Sequence, residues 1–214
     1  MILISDPRVA AVPVFDNGEA MVDLRTVDEL RVDDRLADPE GAFARLREGA
    51  VARLLAAQRA LPAGLRLLVV EAYRPLRLQR EYFGGYQDEL RSRFPSWSEE
   101  RVYVEASKYV SPPSVAPHST GGTVDLTLAG PDGRELDMGT AVNDSPVASA
   151  NACFTAATHI PASARRNRYV LGSALRSAGF ANYPTEWWHW SYGDRYWALG
   201  TGASQTHYGP VDLG

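Results

Sequence analysis

Apolar positions along this chain change their spacing several times, and each change marks the start or end of an element. From Pro39 to Leu61, Phe43, Leu46, Val51, Leu54 and Leu55 recur at helical intervals while Arg45, Glu48 and Arg59 fall on the opposite face; this predicts a helix, despite Gly49 inside it. Pro62-Ala63-Gly64 breaks the pattern, and Leu65 to Tyr73 follows as an apolar run suited to a buried strand. Arg74 precedes Pro75, whose ring disfavours helical geometry at Arg74 and ends the strand there. Helical spacing returns over residues 76–93 and again over 98–109, where Ser96 and Ser98 are followed by Glu99 and Glu100 in a first turn.

Ser111-Pro112-Pro113-Ser114 reads as an irregular linker, after which Thr123 to Leu128 alternates around Asp125 as a short strand. Gly130-Pro131-Asp132-Gly133 signals a turn, with Arg134 to Met138 as the return arm of a hairpin. Segment 140–163 is polar and rich in small residues; it predicts a loop interrupted by a short helix, a natural lid. Residues 164–178 predict a helix with Tyr169, Leu171 and Leu175 turned inward and Gly179 closing it. Trp187 to Tyr192 and Tyr196 to Leu199, joined through Gly193-Asp194, predict a second hairpin. Near the start, Val12 to Phe15 and Asp16-Asn17-Gly18 predict short extended pieces and turns at an edge.

With 214 residues, 45% of them hydrophobic and 22% charged, the chain fits one globular domain spanning 1–214. A net charge of −4, with arginines scattered among acids, gives no footprint for nucleic acid. The first residues lack a basic stretch followed by a sustained apolar one, and no later run reaches the length of a membrane span. A protein of the cytoplasm, with no membrane partner, is the expectation. Cys153 is the only cysteine, so no internal disulfide forms, and it is expected as a small buried residue.

The candidate chemistry sits in two stretches. Glu186-Trp187-Trp188-His189-Trp190 places a carboxylate three residues before an imidazole in an aromatic setting, and Pro117 to Leu126 contains His118 and Asp125. A catalytic zinc site needs three protein ligands and one open position, and His118, Asp125 and His189 meet that count. Gly121 and Gly122 let the backbone turn and bring His118 back over the strand that carries Asp125. Taken singly, each has an ordinary reading: a loop histidine, a surface aspartate, a filler among tryptophans. An aspartate between Val124 and Leu126 is nonetheless costly to bury unless it is paired or coordinated. Glu186 fits a general base, or else an exposed glutamate. On a regular strand Glu186 and His189 would face opposite sides, so Glu186 must precede the strand or be re-aimed by a bulge. Arg74 either stabilises an oxyanion or pairs with Glu71, the reading its spacing favours. Trp187, Trp188 and Trp190 read as core and pocket wall, and His159 and His207 lack ligand-like company.

In order and spacing, Glu71-Ala72-Tyr73-Arg74-Pro75, His118 to Asp125 running on into Leu126-Thr127-Leu128, Leu136-Asp137-Met138-Gly139-Thr140, Asn167-Arg168, Gly179-Phe180 and Glu186-Trp187-Trp188-His189 resemble the VanX-type D-alanyl-D-alanine dipeptidases. The similarity runs from about residue 65 to 198. It implies an α+β fold with a central, mainly antiparallel sheet flanked by helices, and one zinc ion held by His118, Asp125 and His189. Glu186 would then be the base and Arg74 the oxyanion stabiliser, in a small pocket for free dipeptides, particularly those with D-residues, with Trp187 and Trp188 against the substrate. Ala116 stands where the family usually has Ser, Thr120 where Arg is frequent, and Asn143 where an acid is thought to hold the substrate's amino group. Asp144, next door, is the alternative for that last duty. Two other readings compete: a carboxypeptidase trimming peptidoglycan stem peptides, which needs an open groove, and a zinc-stabilised binding module without turnover, against which Glu186 and Arg74 both speak.

Overall fold

A computed structural model describes residues 1–212. Its elements follow in the order α1 (Pro7–Ala10), β1 (Met21–Asp23), β2 (Arg31–Val32), β3 (Arg45–Arg47), α2 (Glu48–Ala60), β4 (Arg66–Glu71), α3 (Leu76–Arg93), α4 (Glu99–Ala106), β5 (Thr123–Ala129), α5 (Ala162–Ser177), β6 (Ala181–Asn182), β7 (His189–Ser191) and α6 (Arg195–Thr201). Strands β2, β4, β5, β7 and β6 lie side by side in that order. All their pairings are antiparallel except β2 with β4. The fold is therefore α+β around a mainly antiparallel sheet, and β1 pairs with β3 in a small sheet of its own.

Alternation along β5 divides the molecule. Val124, Leu126 and Leu128 join the main core with Leu67 and Val69 of β4, Leu54 of α2 and Leu171 and Leu175 of α5. Thr123, Asp125 and Thr127 take the opposite face, and they too are buried. On that face Asp125 stands in register with Glu71 of β4 on one side and His189 of β7 on the other. The register slips between Val69 and Glu71, and this extra residue re-aims Glu71 towards Asp125. Helices α3 and α4 share a separate apolar cluster of Phe83, Tyr86 and Leu90 with Val102, Ala106 and Val110. Among the described residues no helix is long and apolar enough to cross a membrane.

Several elements depart from the sequence reading. The helix expected from Pro39 begins only at Glu48, because the Asp38 carboxylate collects the backbone N–H groups of Glu40, Ala42 and Phe43 and holds a compact turn. Arg45 to Arg47 then pair with Met21 to Asp23 instead of coiling. Tyr169, expected inward, is 71% exposed on α5. The hairpin expected after Gly193 is replaced by α6, since Asp194 accepts the Trp197 backbone N–H at 2.7 Å and caps a helix start. The return arm at 134–138 makes a single bridge, Glu135 opposite Ala129. Val12 to Phe15 form no strand, and residues 140–161 are turns without the expected helix. That segment is no free lid: the Arg168 guanidinium donates to the carbonyls of Met138, Ala152 and Phe154 and ties it to α5.

Candidate active site

Three stretches converge where the polar face of the sheet meets α3. His118 opens a single 3-10 turn, His118–Thr120, closed by Gly121 at φ 72, a left-handed conformation that a side chain would strain. Asp125 comes from β5, and His189 is the first residue of β7. Glu186 lies ahead of that strand in two consecutive tight turns, with Glu186 N–H donating to Tyr183 O and His189 N–H to Glu186 O. Period-two alternation therefore does not apply between them, and Glu186 Oε2 sits 3.5 Å from His189 Nδ1.

His118, Asp125 and His189 are all buried, and one potential ligand atom from each lies within 4.8 Å of the others. His189 Nδ1 and His118 Nε2 stand 3.0 and 3.3 Å from Asp125 Oδ1, yet that oxygen accepts no hydrogen bond and has no solvent contact. A buried, unsatisfied carboxylate oxygen is costly, and lone pairs aimed at a common centre are what a metal site requires. His118 Nδ1 faces the Ala72 carbonyl at 2.6 Å, so it carries the proton and leaves Nε2 free to ligate. The donor set, two imidazoles and one carboxylate, fits zinc.

Electrostatics sharpen the division of labour. Burial pushes the Glu186 carboxyl well up, and neighbouring Asp125 and Glu71 add to this against the pull of Arg74. Burial also acts on Asp125, but His118 and His189 outweigh it and hold that carboxyl far below the usual range. Burial lowers the pKa of His189, favouring the neutral ring that can donate a lone pair. Arg74 donates from Nε to Glu71 Oε1 at 2.7 Å and from Nη2 to Glu71 Oε2, while Nη1 reaches Gln79 Oε1 at 3.0 Å. Burial works against its charge, but Glu71 more than compensates. The ion pair that spacing suggested exists, and the same guanidinium lines the cavity.

That cavity, of about 500 Å³, is bordered by Arg74, His118, Asp125, Asn143, Glu186 and His189, which the structure thus brings together. Asn143 sits at φ 68 with its carbonyl accepting from the Tyr109 hydroxyl at 2.8 Å. The remaining three predicted site residues lie elsewhere. Trp187 and Trp188 are 1% and 0% exposed and belong to the main core, Trp187 donating its indole N–H to Thr140. Asp144 turns away to accept the Ala141 N–H. Sequence reading missed Gln79, fully buried behind Arg74. Its signal was a polar residue in line with Phe83, Tyr86 and Leu90 on the apolar stripe of α3. It also missed Tyr109 and Tyr183, aromatic cavity walls that carry no motif.

A buried His-Asp-His cluster beside a glutamate and an arginine, all opening on one cavity, supplies the groups that a metal-dependent hydrolase needs. A family model described as D-ala-D-ala dipeptidase matches residues 34–207. A D-alanyl-D-alanine dipeptidase of Synechocystis sp. is 30% identical, covering 88% of this chain and 87% of its own. A D-alanyl-D-alanine dipeptidase of Escherichia coli is also 30% identical, over 59% of this chain and 55% of that protein. Among solved structures, VanYB in complex with D-Alanine-D-Alanine is a distant likeness: 17% identity and a TM-score of 0.45 over 78% of this chain and 82% of that one. The chain belongs to the D-alanyl-D-alanine dipeptidase family of metallopeptidases, whose cofactor is zinc.

Proposed function

We propose that this protein hydrolyses free dipeptides of the D-alanyl-D-alanine type, with His118 Nε2, Asp125 Oδ1 and His189 Nδ1 holding the zinc ion. The supporting observation is Asp125 Oδ1, buried without a hydrogen bond between two imidazole nitrogens. Zinc supplies Lewis acidity there, making water nucleophilic near neutral pH and polarising the scissile carbonyl. Glu186, raised in pKa by burial and by Asp125, accepts the proton of the attacking water and passes it to the leaving amine. Arg74 commits three N–H groups to Glu71 and Gln79 and keeps its other N–H groups for the oxyanion that forms on the carbonyl. Asn143, on the same cavity, offers its amide oxygen to the substrate's amino group. A cavity of about 500 Å³ has room for a dipeptide. The dipeptide class also follows the two curated relatives.

The test is Glu186→Gln, assayed for zinc content and for hydrolysis of L,L and D,D dipeptides. Stoichiometric zinc with at least a hundredfold loss of turnover is expected, on the order of what a general base contributes. Turnover within a few fold of the native enzyme removes Glu186 from the reaction.

A further inference from the structure

The side chain of Asn182 has no place in the chemistry above, yet it touches the backbone of both residues that do most of it. Asn182 Nδ2 donates to Glu186 O at 2.9 Å and to His189 O at 3.0 Å. Its Oδ1 accepts the Thr155 hydroxyl at 2.6 Å, and because the two carbonyls can only accept, a flip of the amide would set Oδ1 against both of them. The two tight turns that carry Glu186 and His189 to one side are therefore cross-braced from the end of β6. Backbone bonds from Tyr183 N–H to His189 O, Glu186 N–H to Tyr183 O and His189 N–H to Glu186 O close the turns themselves, and the Asn182 amide adds a side-chain tie between the carbonyls of Glu186 and His189, whose side chains stand 3.5 Å apart. Thr155 brings in a third segment: its backbone N–H also donates to Pro184 O, and neighbouring Cys153 O accepts from Trp187 N–H.

We propose that Asn182 is a positioning residue that fixes Glu186 relative to His189, and that Thr155 orients it. The proposal rests on the reading of Glu186 as base and His189 as zinc ligand. It requires two effects from Asn182→Asp, which is isosteric but replaces both donated bonds with repulsion between oxygens. Zinc affinity of the apoprotein, measured by competition with a chromogenic chelator, should fall about tenfold, the loss typical of residues that orient metal ligands. At saturating zinc, kcat should fall at least tenfold with KM within twofold, a split that a loss of global stability would not produce in the folded, loaded enzyme. Absence of either effect overturns the proposal. Should Asn182→Asp fail to fold, Thr155→Val leaves the amide in place but removes the hydroxyl that anchors its Oδ1. It should then weaken zinc binding and kcat each by about threefold, consistent with one lost neutral hydrogen bond, and values within experimental error of the native enzyme overturn the proposal equally. Glu186→Gln separates the two readings: if that variant stays active the base assignment falls, while the zinc affinity of Asn182→Asp still decides whether Asn182 holds His189.

Discussion

Removing Glu71 should destabilise this protein more than removing Arg74, although the two form a single ion pair. Both are buried, 5% and 9% exposed, and Glu71 takes two of the bonds that satisfy the guanidinium. Losing one partner of a buried pair costs about 3–5 kcal/mol because the other charge is left uncompensated. The two orphans are not equivalent. A guanidinium keeps its charge in any folded environment, whereas a carboxyl has a neutral form available. Glu71→Ala should therefore lie at the upper end of that range and Arg74→Ala at or below the lower end. At about 2.1 cal/mol/K per residue, the entropy of unfolding for a chain of 214 residues is roughly 0.45 kcal/mol/K, so 3–5 kcal/mol corresponds to about 7–11 °C in Tm. The double variant removes both partners and should fall short of the sum of the singles by about 1–3 kcal/mol. Urea unfolding of the chelator-treated protein, followed by circular dichroism, measures all four species on one scale. Additivity within about 0.5 kcal/mol, or Arg74→Ala as the costlier single, would refute the reasoning.

Three further outcomes are expected. Asp194→Ala should cost about 1–2 kcal/mol in urea unfolding, since it removes the cap of α6 and the partner of Thr123; a change below about 0.3 kcal/mol contradicts the capping role. Glu19 lies low in pKa because hydrogen bonds from Tyr208, Gly49 and Asn17, with help from Arg47, outweigh its burial. It contributes stability above its unfolded pKa that is lost as pH falls through the lower folded value, so Glu19→Gln should flatten the acid limb of the Tm profile, and an unaltered slope between pH 5 and 3 (roughly the carboxylate range) counts against it. Asn143→Asp should raise kcat/KM for dipeptides with a free amino group relative to N-acetylated ones, because charge pairing replaces a neutral contact; an unchanged ratio removes Asn143 from amino-group recognition.

The grouping of Arg74, His118, Asp125, Glu186 and His189 around one cavity was legible because these residues are chemically improbable where they stand. Asp125 interrupts an apolar strand, and Glu186 and His189 flank tryptophans, so each demands a partner on sequence grounds alone. The α3 and β5 spans were equally plain, the first from its stripe and the second from strict alternation. What stayed hidden depends on competition between local and distant bonds. Phe43 and Leu46 continue the apolar spacing of α2, yet the Asp38 carboxylate and the pairing with β1 claim the backbone first. Gly193-Asp194 suits a hairpin turn as well as a helix cap, and only the fold decides which N–H the carboxylate meets. Trp187 and Trp188 look like pocket residues because of their neighbours in sequence, but the turns that swing Glu186 and His189 into the cavity send both indoles into the core.

The row of Glu71, Asp125 and His189 across three adjacent strands has a consequence for how the chain reaches its native state. In a sheet, a slip of one residue sends every side chain to the opposite face. A β5 slipped by one residue would turn Thr123, Asp125 and Thr127 into the main core and Val124, Leu126 and Leu128 onto the polar face, losing apolar packing and the proposed ligand set together. Hydrophobic burial and the proposed affinity for zinc therefore select the same register. Because a ligand stabilises only the species that binds it, zinc held by the proposed residues would widen the gap between the correct sheet and a misaligned one, adding an ionic check on strand alignment to the hydrophobic one.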